Sequence, residues 1–140
     1  MTTAEAVLPS PLSLWAARDW AIAHHFDGHV AMYDSIRAAS LLQFRSDIDF
    51  GDAACRRFDR AALCRHAHSL KGVLLLLGAT AAADHARTLE VAAAGDRAEA
   101  GMAAHVGLDL PEAPADTGAA AIRTLLPLWH ALRSAVLALS

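Results

Sequence analysis

Apolar positions recur along most of this 140-residue chain at steps of three and four, the period of a helix with one buried face. The clearest stripe is Leu63, Ala67, Leu70, Leu74 and Leu77, which predicts a helix from about 60 to 77. Asp59 is placed to cap its start and Gly78 to stop it. Thr80 can cap the next helix, which buries Ala83, Ala86, Leu89 and Ala93 and is expected to end at Gly95. So short a link makes the two helices antiparallel neighbours.

Upstream, Pro9 and Pro11 mark residues 1–12 as a loose leader. Ser13 can cap a short helix with Trp15, Ile22 and Phe26 on its inner side, ended by the Asp27-Gly28 turn signal. A long helix is expected over 29–57, with Val30, Tyr33, Leu41, Phe44 and Ile48 in helical period. Gly51 inside it costs about 1 kcal/mol relative to alanine, so a kink or break is expected near 49–52. Downstream, 97–106 suits a helical turn or two, and 107–118 reads as a Pro-, Gly- and Asp-rich loop. A last helix over 119–139 carries Ile122, Leu125, Trp129, Leu132 and Val136, with Pro127 kinking it or marking its true first turn. The sum is one all-α domain over 13–139. It is expected to be an antiparallel four-helix bundle with a short N-terminal helix and a long loop before the last helix.

Composition supports helices: 55% of residues are hydrophobic but only 6% aromatic, with alanine and leucine dominant. A net charge of -3 argues against a nucleic-acid surface. The strongly apolar stretch 72–83 is shorter than the roughly 20 residues of a membrane span, and no basic residue precedes Arg18 as a signal peptide would require. Two cysteines, Cys55 and Cys64, have no metal-type spacing and suit a reducing cytoplasm, with a disulfide between them left open.

The chemistry concentrates on the helix over 60–77. His68, Lys71, Gly72 and Leu75 follow helical steps on a face other than the apolar stripe. A nucleophilic imidazole thus lies one turn from an ammonium and one turn from a residue without a side chain. Lys71 is the only lysine in the chain. Neutral imidazole is plentiful near neutral pH and can attack an acyl phosphate. Phosphoryl transfer asks of the protein mainly position and charge. Lys71 could neutralise phosphoryl oxygens, and Gly72 could leave room for them; close packing of a neighbouring helix is the structural explanation of the same glycine.

His68-Ser-Leu-Lys-Gly72 followed by Gly78-Ala79 resembles the signature of histidine-containing phosphotransfer (Hpt) domains. Phe26-Asp-Gly, Tyr33, Asp59, Leu89-Glu90 and Gly95-Asp96 fall at spacings that family uses, so the resemblance covers roughly 13–96. It implies a four-helix bundle with an exposed, phosphorylated histidine, no cofactor, no ATP binding and no autonomous kinase activity. It also implies a phosphoryl relay between the aspartates of response-regulator receiver domains, with a hybrid sensor kinase as a further partner. On that resemblance His68 is the phospho-acceptor, Lys71 its charge partner and Gly72 the steric gap. The expected protein is a cytoplasmic monomer that binds neither nucleic acid nor membrane.

Two departures stand out. Where the family has small or polar residues, this chain has Val73-Leu74-Leu75-Leu76-Leu77, and the segment 97–118 is long. Leu75 and Leu76 should approach the surface near His68, as a partner interface or beneath an N-terminal arm bearing Trp15 and Trp20. Cys64 and Arg65, one turn before His68, join them as expected partner-binding residues. His66 points elsewhere and reads as a packing or solvated histidine. His25 and His29 are four apart, but the turn between them disfavours a metal site. The alternative to a carrier is a degenerate module that binds a receiver or kinase without transferring phosphate.

Overall fold

The computed structural model describes residues 14–105 and 116–140, and side chains within 14–94 and 118–140. The described residues form helices and no strands: α1 Arg18–His25, α2 Val30–Arg56, α3 Arg60–Leu77, α4 Thr80–His105 and α5 Asp116–Ala138. The expected Ser13 cap, the leader 1–12 and most of the expected loop lie outside the described residues.

Helix α3 touches each of the other helices. Its apolar stripe explains why: Leu63, Ala67, Leu70, Leu74 and Leu77 are all at most 2% exposed. Asp59 caps the helix as its sequence position predicts, its side chain accepting the Ala62 N–H at 3.0 Å, a bond of the kind that stabilises a helix by roughly 1 kcal/mol. At the far end Gly78 adopts a left-handed φ of 82° and its N–H and that of Ala79 return to the last turn. A side chain at Gly78 would also strike the Ala17 backbone, with a Cβ 2.5 Å from its carbonyl carbon and oxygen. The Ala17 N–H donates to the Gly78 carbonyl at 3.0 Å, which ties the entry to α1 onto the end of α3.

Antiparallel register between α2 and α3 is fixed by two distant contacts. The buried Tyr33 hydroxyl donates to the Leu77 carbonyl at 2.6 Å, and the His66 ring bonds the Asp47 carbonyl. Burial pushes the Tyr33 phenol above its ordinary range, against the neighbouring Arg37 and Arg18 charges, so it remains a donor. Between α2 and α3 the chain turns at Phe58, whose φ of 56° is unusual for a bulky side chain. Neither cysteine is disulfide-bonded, and burial pushes the Cys55 thiol up.

The structure departs from expectation at Gly51, Gly95 and Val30, and at Pro127 it excludes the first turn of the helix. Helix α2 runs unbroken through Gly51. Its glycine is explained by α5 instead: a Cβ there would lie inside 3.0 Å of three ring atoms of Trp129. The same indole donates to Asp52 at 2.9 Å, and Arg133 reaches both Asp52 oxygens at 3.2 and 3.3 Å. Helix α4 does not stop at Gly95 but continues to His105, absorbing the turns expected as a separate piece. Pro127 lies inside α5, on its exposed side. Val30, in helical period with the buried Tyr33, Phe44 and Ile48, is itself exposed.

Candidate functional site

His68 projects from the middle of α3 with 68% of its side chain exposed. Position explains this, because it lies opposite the buried stripe on the same helix. The ring is nonetheless held. Its Nδ1 lies 2.7 Å from Oε1 of Glu90, across on α4. A carboxylate can only accept, so Nδ1 carries the hydrogen, and whenever the ring is neutral its lone pair is on Nε2.

Glu90 also gathers Lys71. The ammonium nitrogen lies 2.7 Å from Oε2, an oxygen fully buried and without any other partner among the described residues. Both side chains are withdrawn from water, Lys71 to 24% and Glu90 to 19% exposure. The Lys71 hydrogen bond is the largest influence on the Glu90 carboxyl. Together with the His68 hydrogen bond and both charges it holds the group below its ordinary range, although burial pushes the other way. Glu90 is therefore a carboxylate bridging imidazole and ammonium.

Cys64, one turn before His68, is half-buried beneath this bridge, with its thiol 3.8 Å from the Glu90 carbonyl. Gly72 lies on the opposite flank, and a Cβ built there meets nothing within 4 Å. Close helix packing therefore does not explain this glycine. Beyond it, Leu75 is 47% and Leu76 36% exposed. No N-terminal arm covers them among the described residues: Trp20 is itself exposed and stacks on His24, with ring centroids 4.2 Å apart. Arg65 is exposed on the His68 side of α3.

The geometry thus gathers His68 and Lys71 as the sequence predicts, but through Glu90 rather than directly. Lys71 is aimed at that carboxylate. Glu90 is visible in the sequence only as part of the spaced family pattern. His66 is absorbed by its bond to Asp47 and by ring contacts with Phe50 and Trp129. His25 lies edge-on to Trp20, and no group of potential metal ligands occurs among the described residues.

Comparison of the chain with protein-family models, with curated proteins and with solved structures finds no match in any of the three. No helix among the described residues is long and apolar enough to cross a membrane.

Proposed function

We propose that this chain is a histidine phosphotransfer protein, with His68 taking and passing on a phosphoryl group in a two-component phosphorelay. The observation that carries the reading is the state of His68: exposed, yet with Nδ1 committed to Glu90 at 2.7 Å so that Nε2 is the free nucleophile. Nε2 attacks the phosphorus of an aspartyl phosphate, the N–P bond forms, and the P–O bond breaks with the carboxylate as leaving group. Nδ1 keeps its proton throughout, so no separate base is needed. The reverse sequence delivers the group to a second aspartate. Lys71 lies one turn away and can turn from Glu90 toward the added oxygens as a point charge. Gly72 leaves the space they and a docking domain need.

On this reading α2 to α5 form the family's antiparallel four-helix bundle, and the protein is a cytoplasmic monomer with no kinase activity of its own. The exposed leucines beside Gly72, with Cys64 and Arg65 behind the histidine, form the surface that receives a receiver domain or hybrid kinase. An apolar patch beside a reactive residue is what such a transient interface uses. Leu75 and Leu76 equally suit a module that docks without transfer, and one experiment separates the two. Incubation with a phosphorylated receiver domain should leave acid-labile label on the wild type and none on His68→Gln. Binding without label on either would favour the docking module.

A further inference from the structure

We propose that Glu90 keeps the Nδ1 hydrogen on the ring of phosphorylated His68, which makes the phosphoryl group quick to leave and the carrier a short-lived intermediate. This rests on His68 being the acceptor. It concerns what happens after the group arrives.

Phosphorylation at Nε2 leaves a ring that is cationic while Nδ1 retains its hydrogen. If that proton departs to water, the ring becomes neutral, and the phosphoryl group can then leave only from an imidazolate, a poor leaving group. If the proton stays, the N–P bond breaks to release neutral imidazole. The fate of one proton therefore sets the lability of the bond. Glu90 Oε1 sits 2.7 Å from that nitrogen as an anion on a side chain only 19% exposed, so although the ring is 68% exposed its Nδ1 proton faces the carboxylate.

The neighbouring charges strengthen the effect once the group is bound. In the free protein the Lys71 ammonium offsets Glu90 at 2.7 Å. Three new phosphoryl oxygens one turn away draw on the same ammonium, which leaves more of the carboxylate charge for the ring. Arg65 on α3 and Arg87 on α4 each lie three residues before His68 and Glu90 respectively, and both are exposed. Among the described residues, Glu90 is the anion bonded to Nδ1. It acts through His68 and is a positioning residue.

A glutamine at this site separates charge from geometry. Its side-chain oxygen can still accept from Nδ1, so Nε2 remains the nucleophile and Glu90→Gln still takes the phosphoryl group. The 140-residue chain is phosphorylated with phosphoramidate, and the phosphorus resonance missing from His68→Gln identifies phospho-His68. Its decay is then followed from about pH 6 to about pH 9, across the range in which a histidine ring ordinarily loses its proton. The wild type should decay nearly as fast at the alkaline end as at the acid end. Glu90→Gln should match it at about pH 6 but decay about tenfold more slowly at about pH 9, the difference between a charge-assisted and a neutral hydrogen bond. Glu90→Asp should restore part of the alkaline rate. Coincident wild-type and Glu90→Gln profiles would overturn the inference while leaving His68 as acceptor. Absence of any resonance assignable to His68 would overturn the acceptor assignment and the inference with it.

Discussion

Gly72→Ala separates the demands of folding from those of function on one helix. The site is exposed and a Cβ there meets nothing within 4 Å, so the substitution adds no clash. It removes the conformational freedom of glycine from the interior of α3, a gain of about 0.8–1.0 kcal/mol from helix propensity. For a chain of this size the midpoint of thermal unfolding should rise by about 2–5 °C, read by circular dichroism. Transfer from a phosphorylated receiver should fall if His68 is the acceptor as proposed, because the added methyl stands one turn away, in the space the phosphoryl oxygens would take. Gly51→Ala is the control with identical chemistry and the opposite sign. Its methyl would strike the Trp129 ring and disturb the indole bond to Asp52. Overpacking of about 1–3 kcal/mol then outweighs the same propensity gain. A Gly72→Ala protein that melts lower than the wild type would refute the open-space reading. One that melts higher and transfers at the wild-type rate would refute the functional role of the gap.

Two further outcomes follow from the site. Leu75→Asp should weaken receiver binding in a titration while changing stability by no more than about 0.5 kcal/mol, as expected of an exposed position; a large drop in melting temperature would instead mark Leu75 as core. The Glu90 carboxyl is held below its ordinary range mainly by Lys71, so its contribution to stability is present above the unfolded-state value and is lost as pH falls through the folded one. Denaturant unfolding at neutral pH and at successively more acid values should therefore show a steeper acid loss for wild type than for Glu90→Gln, and equal slopes would contradict the bridge.

The parts of the fold legible in the sequence were those set by local chemistry. Asp59 and Gly78 bound α3 because a cap and a left-handed stop depend on a few adjacent residues. The stripe from Leu63 to Leu77 was readable because burial follows the helical period. Gly95 carried the same stop signal as Gly78, but a glycine ends a helix only where the backbone turns left-handed, and the alanine-rich chain around it carries the helix on. Gly51 misled for a different reason. Its explanation, Trp129, lies far along the chain and comes close only after α5 packs on α2. The site divides in the same way. His68, Lys71 and Gly72 share a face by spacing alone, whereas the Glu90 bridge forms between helices and no single-helix pattern can display it. Spacing accordingly places Lys71 beside His68 but does not show that its partner in the free protein is the Glu90 carboxylate.

Everything proposed for this chain depends on His68 accepting a phosphoryl group. The most direct test is mass-spectrometric mapping of the wild type after incubation with a phosphorylated receiver domain, under conditions that preserve phosphohistidine. The expected result is a single phosphorylated residue, His68, and no modification of the His68→Gln protein. Phosphate on another histidine, or label that persists in His68→Gln, would contradict it.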